Sequence, residues 1–201
     1  MDFKFKTDQQ PLLGKVIIVV NGKGGVGKDT ICDIVNHFFR SKHISAITPI
    51  KEIATHCGWD GEKTPKSRKF LSDLKSIVMD YNQYPTKYLV QQVCEFMVDD
   101  KTDILFVDIR ESGQINLFAN DVKYATGMDV KTLLVKSNRT EDVKYGNTSD
   151  DDVDQYPYDY TFHNDGDLDL LEEKVWHFFV TLFQQEHVYG SAMPFVKIIN
   201  E

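Results

Sequence analysis

The sequence predicts an α/β protein of three layers, a parallel β-sheet covered by helices on both faces. Three observations predict it. Short apolar runs rich in β-branched residues alternate with segments of helical period, as a doubly covered parallel sheet requires. The first run, residues 15–21 (KVIIVVN), ends in a glycine-rich turn that opens directly into a helical pattern. A later run, residues 103–108 (DILFVD), ends on a carboxylate, at the edge of the sheet where such folds bind ligands.

Taken in order, residues 15–21 read as a buried strand. After Gly27 the apolar positions Ile31, Ile34, Val35, Phe38 and Phe39 recur at helical spacing. Residues 44–50 read as a second strand closed by Pro49. Residues 51–101 look helical in two or three pieces, broken near 58–61 and 81–85. Leu71, Leu74, Ile77 and Val78 form one apolar face there, and Leu89, Val90, Val93, Phe96 and Met97 another. The strand at 103–108 precedes a helix carrying Ile115, Leu117 and Phe118, and 130–135 is the next strand. Residues 137–157 are polar and acidic without an apolar period, which reads as a lid. A last strand at 158–162 leads into a helix over 168–183, with Leu171, Val175, Phe178 and Phe179 on its apolar face. No repeat or linker divides the chain, so residues 1–201 read as one domain.

Composition narrows the function. Hydrophobic residues make up 41% of the 201 residues, enough for a sizeable core, and no run approaches the length of a membrane span. Residues 1–100 carry 14 Lys/Arg against 12 Asp/Glu, whereas residues 101–201 carry 9 against 19. A surface so acidic repels a nucleic-acid backbone but leaves room for a small anion in a local basic pocket. The three cysteines, Cys32, Cys57 and Cys94, form no CxxC pair and read as buried reduced thiols. With no apolar leader in MDFKFKTDQQ, the expected compartment is the cytoplasm.

The glycine-rich turn carries the chemistry. Gly22, Lys23, Gly24, Gly25, Val26, Gly27, Lys28, Asp29 and Thr30 contain the pattern G-x-x-x-x-G-K, a phosphate-binding loop. Glycines let the backbone turn tightly and aim N–H groups at phosphate oxygens, and the following helix directs its dipole at the same anion. Lys28 adds a full positive charge for the terminal phosphates of ATP. Where Ser or Thr normally meets Mg²⁺, this chain has Asp29 followed by Thr30, and either could serve the metal. Asp108 is placed to complete the magnesium shell, and Arg110, two residues on, to grip a phosphate bidentately.

Two resemblances follow from the loop. Residues 23–28 (KGGVGK) resemble the deviant Walker motif of the partition and septum-site ATPases, which implies a nucleotide-dependent switch and a homodimer contacted through Lys23. That family's Asp-x-Asp segment is missing here. The loop Gly27-Lys28-Asp29-Thr30 is similar to that of deoxynucleoside monophosphate kinases and of animal-type phosphomevalonate kinase, which share an adenylate-kinase-like fold. The segments 49–52 (PIKE), 67–71 (SRKFL), 107–110 (VDIR) and 158–166 (YDYTFHNDG) follow the same family in the same order. That resemblance implies ATP- and Mg²⁺-dependent phosphoryl transfer to a small phosphorylated acceptor, foremost a (deoxy)nucleoside monophosphate. Lys28, Asp108, Arg110 and Arg139 would act in catalysis, Lys51, Arg68 and Arg110 in acceptor binding, and Asp29, Thr30 and Asp108 at the metal. Gln114 stands where the family tends to show Glu, so a nucleotide-binding relative without transfer is a further alternative.

Overall fold

The computed structural model describes residues 9–62, 64–140, 142–143 and 153–190. Its five strands form one sheet in the order β2-β3-β1-β4-β5, every pair parallel. They are β1 (Val16–Asn21), β2 (Ser41–Ser45), β3 (Ile104–Asp108), β4 (Val130–Lys136) and β5 (Tyr160–His163). The helices are α1 (Lys28–Phe38), α2 (Thr48–His56), α3 (Pro65–Asn82), α4 (Tyr84–Val98), α5 (Ser112–Thr126) and α6 (Leu171–Gln185). This is the expected three-layer α/β fold, a parallel sheet covered by helices on both faces.

Side-chain alternation along β1 builds the three layers. Val16, Ile18 and Val20 point into a core with α1 and α6, where Ile31, Val35, Val175, Phe179 and Phe183 are buried. Ile17 and Val19 point the other way, onto Leu89 and Val93 of α4 and Ile115 and Phe118 of α5. A strand buried on both faces must read as a continuous apolar run, and for that reason the sequence shows one. In the α1/α6 layer, Phe39 stacks on Trp176 at 5.4 Å between ring centroids, and both rings are buried.

Three expectations need correction. Pro49 does not close a strand: β2 ends at Ser45, and Pro49 lies in the first turn of α2, where its missing N–H has no helical partner to lose. The apolar face expected on α3 is not a core face. None of its residues is buried, and Ile77 is 65% exposed, because α3 packs on α2 and α4 and not on the sheet. Of the three free thiols only Cys32 is buried, while Cys57 and Cys94 are exposed.

The lid expected over 137–157 lies partly outside the described residues. Its described ends are held: Ser137, Thr140 and Val153 are buried, and Lys136 pairs with Asp154 at 3.1 Å. Among the described residues no helix is long and apolar enough to cross a membrane.

The register fixes what lies at the carboxyl edge. Val20 of β1 stands opposite Asp108 of β3 and Leu133 of β4. The turn after β1 therefore emerges between the ends of β3 and β4, where the chain connections leave to opposite sides and a crevice opens.

Candidate active site

The loop is set by close backbone approach. Gly22 has φ +149°, and a Cβ there would stand 2.4 Å from the backbone oxygen of Val135 on β4. Gly27 has φ +90°, and its Cβ would meet the Asn164 side chain at 2.5 Å. Gly22 thus excludes any side chain against fixed backbone, and Gly27, at positive φ, admits one only if Asn164 gives way, so both glycines serve the loop geometry before any ligand is considered. Lys28 folds back over the loop, its Nζ donating to the carbonyls of Gly22 at 2.8 Å and Lys23 at 3.3 Å. The cap position of α1, Gly27, contributes no side-chain hydrogen bond, and the helix directs the positive end of its dipole at the loop, which favours an anion there.

Two buried asparagines tie this loop to the sheet. Asn21 accepts from the N–H of Gly22 at 2.8 Å and donates to the Arg110 carbonyl at 2.9 Å and to the Tyr158 hydroxyl at 2.8 Å. Burial pushes the Tyr158 phenol well above its ordinary pKa, so it stays a neutral partner. Asn164, just after β5, donates to the Val26 carbonyl at 2.8 Å, and its own N–H donates to Lys136 at 2.8 Å. Asn164→Asp removes the donor and sets a carboxylate against a buried carbonyl. We expect a loss of about 1–3 kcal/mol in chemical denaturation. An unchanged midpoint and slope would remove Asn164 as the clamp of the loop.

The carboxylates of Asp29 and Asp108 lie close together at this edge, and a histidine joins them. Asp29, His43 and Asp108 each offer a ligand atom, and these atoms lie within 4.8 Å of one another. His43 Nε2 is 3.2 Å from Asp108 Oδ2. That hydrogen bond raises the His43 pKa against the opposing effect of burial, and the charges of Asp108, Asp29 and Asp33 raise it further. Among the described residues the other carboxylate oxygen, Asp108 Oδ1, is buried with no hydrogen-bond partner. A buried anionic oxygen without a donor is costly, and a cation relieves it. Asp29 is informative for the same reason. A carboxylate in the first turn of α1 would repel a bound polyphosphate unless a cation lay between them. The two carboxylates by themselves thus fit Mg²⁺, and Asp29 and Asp108 are the residues that would hold it. Thr30 is exposed on the same turn and remains the alternative hydroxyl. Burial and the nearby carboxylates push the Cys32 thiol up, which leaves it an unreactive core residue.

Beside the loop, a small cavity of about 80 Å³ is lined by Lys23, Val26, Lys136, Ser137, Asn138 and His163, among others. Arg139 lies on the adjoining short turn Asn138–Thr140, exposed, its Nε donating to Ser137 Oγ at 3.2 Å. That turn abuts the loop, with Thr140 Cγ2 4.0 Å from where a Gly25 Cβ would stand. On the other side, a cleft of about 590 Å³ opens between α3 and the start of α5, lined by Ser72, Lys75, Ser76, Met79, Asp80, Gln83, Glu111 and Gln114. Lys75 donates to both carboxylate oxygens of Glu111 at 2.8 Å. Arg110 is exposed next to this pair, its backbone held by Asn21.

Lys28, Asp29, Asp108 and Arg110 therefore gather at one edge, with Arg139 on the turn beside the loop. Lys51 on α2 and Arg68 near the start of α3 are exposed and, like Arg110, are not among the residues lining the cleft. Sequence reasoning missed His43, Lys75, Glu111 and the clamping roles of Asn21 and Asn164. Lys75 was within reach, two helical turns beyond Arg68 on the same helix. His43 offered no signal, because its partners come from other elements.

No family model matches the chain, and no curated protein matches it. Among solved structures it is similar to APE1195, at 11% identity and a TM-score of 0.47 over 86% of this chain and 97% of that one. It is also similar to a shikimate kinase from Bacteroides thetaiotaomicron, at 14% identity and a TM-score of 0.40 over 86% and 99%. Both likenesses are loose, and the function of this chain is read from its own residues.

Proposed function

We propose that this protein transfers the γ-phosphoryl group of ATP to a small phosphorylated acceptor, foremost a (deoxy)nucleoside monophosphate. The observation that carries this reading is the juxtaposition at one sheet edge of a phosphate loop with its lysine, two metal-facing carboxylates and a polar cleft large enough for a nucleotide-sized ligand. A switch needs the loop and the carboxylates but has no use for the cleft.

The loop N–H groups and Lys28 hold the donor phosphates, and Arg139 approaches from the turn beside the loop. Arg110 and Lys75 hold the acceptor phosphate, with Arg68 and Lys51 further out on α3 and α2. The acceptor is already an anion, so no general base is needed, and the chain's task is to orient two phosphates and neutralise them. Asp29 or Thr30, with Asp108, would hold Mg²⁺, which would supply charge neutralisation to the phosphates when bound. The free thiols fit a reducing compartment, the cytoplasm.

Lys75→Gln is expected to raise the acceptor KM roughly tenfold or more, the worth of a charge-assisted hydrogen bond, while the ATP KM changes little. Equal effects on both constants would move Lys75 out of the acceptor site. The reading itself is tested by incubating the protein with γ-labelled ATP and each (deoxy)nucleoside monophosphate, with phosphomevalonate alongside. Label transfer to one acceptor is the expected result. ATP binding without transfer to any of them points to a non-catalytic nucleotide-binding protein, and ATP-dependent dimerisation in size exclusion points to a switch ATPase working through Lys23.

A further inference from the structure

We propose that Asp29, His43 and Asp108 together form a binding site for a divalent first-row transition ion, of the Mn²⁺ or Zn²⁺ class, that fills without nucleotide. The proposal deepens the proposed function and rests on its metal carboxylates, but adds a nitrogen ligand that a phosphate loop does not require.

The three side chains come from three elements. Asp29 is in the first turn of α1, His43 on β2, and Asp108 at the end of β3. The parallel register sets His43 opposite Phe106 and Ser45 opposite Asp108. His43 therefore shares the sheet face of Asp108, the face that α1 covers, and reaches its carboxylate from one pair upstream. Two ligand atoms on one such ion stand about 3.0–3.5 Å apart, given metal–ligand bonds of about 2.1 Å. His43 Nε2 and Asp108 Oδ2, at 3.2 Å, already have that spacing. Asp29 is exposed on its helix turn, so its carboxylate can close the remaining distance by a rotamer change.

The donor chemistry selects the ion. Mg²⁺ dehydrates reluctantly and prefers an all-oxygen shell, whereas transition ions accept an imidazole alongside carboxylates. An ion pair of His43 with Asp108 alone would satisfy one carboxylate oxygen and leave Asp108 Oδ1 buried and unmatched, as it is here. A cation seated among the three groups draws on the whole carboxylate.

The test uses the full chain, freed of metal and nucleotide, titrated with MnCl₂ and examined by pulsed electron paramagnetic resonance. Bound Mn²⁺ should show a ¹⁴N coupling from a directly attached imidazole. His43→Gln should abolish that coupling and weaken Mn²⁺ binding at least about tenfold. Asp29→Asn, on an exposed turn, should weaken binding while keeping the coupling, which guards against a folding defect in the strand variant. Absence of the ¹⁴N coupling in the wild type, or its persistence in His43→Gln, overturns the site. ATP binding measured on the same samples separates the two readings. Intact ATP binding with no ¹⁴N coupling overturns the transition-ion site and leaves the phosphate loop standing, whereas coupling without ATP binding keeps this site and removes the kinase.

Discussion

Lys28→Ala is expected to lower the rate of phosphoryl transfer about a hundredfold, with a much smaller change in folding stability. The ammonium is the one full positive charge that the loop itself places at its own centre, hydrogen-bonded to the carbonyls of Gly22 and Lys23. In a bound complex those carbonyls are exchanged for phosphate oxygens, on which charge builds as the γ-phosphoryl group moves. Removing one such preorganised donor costs on the order of 3 kcal/mol in the transition state. The ground state is less sensitive, because loop N–H groups and the α1 dipole continue to hold the phosphates. The measurement is single-turnover transfer from labelled ATP. A variant that transfers at the wild-type rate would dismiss Lys28 as a catalytic group, and one that loses ATP binding alone would reassign it to uniform binding.

Gly22→Ala is expected to damage the fold and the loop together. The new Cβ would stand 2.4 Å from the Val135 oxygen and 2.9 Å from a Val26 methyl. The first of these is the backbone of a central strand, which cannot yield without breaking the β1–β4 ladder. Overpacking of this kind costs about 1–3 kcal/mol, and an alanine held at positive φ adds a similar amount. At roughly 2–4 °C per kcal/mol for a chain of this size, the melting temperature should fall by about 4–24 °C. ATP binding should weaken as well, because the loop can relieve the clash only by lifting away from β4. Gly27→Ala offers the contrast. Its Cβ meets the end of the Asn164 side chain, which can swing aside at the loss of its bond to Val26. A smaller fall in melting temperature is therefore expected there. A Gly22→Ala protein that melts like the wild type would mean that the loop does not approach β4 so closely.

How far the site could be read from the chain depended on how far apart its parts lie. The run from β1 through Lys28 to α1 was legible because strand, turn and helix are consecutive, and the glycine spacing has meaning only in that order. Asp108 and Arg110 were legible for a related reason: an apolar run ending on a carboxylate marks the ligand edge of a parallel sheet. Pro49 was misread because a proline after a short apolar run ends a strand or begins a helix equally well, and only the neighbouring strand shows where pairing stops. The apolar face of α3 misled for a different reason. Periodicity shows that a helix has an apolar side, but not that anything covers it. Leu71 and Leu74 are only half-buried and Ile77 is exposed.

The sequence by itself determined the layering and the phosphate loop, because both follow from local periodicity and from residues adjacent in the chain. Only the tertiary structure decided which groups share the loop's edge. Parallel strands are joined by long crossovers, so His43 reaches Asp108 from β2, Asn164 reaches Val26 from beyond β5, and Lys75 reaches Glu111 from α3. Those meetings are set by strand order and register, which arise from packing over the whole chain and leave no mark in the spacing of the residues that meet.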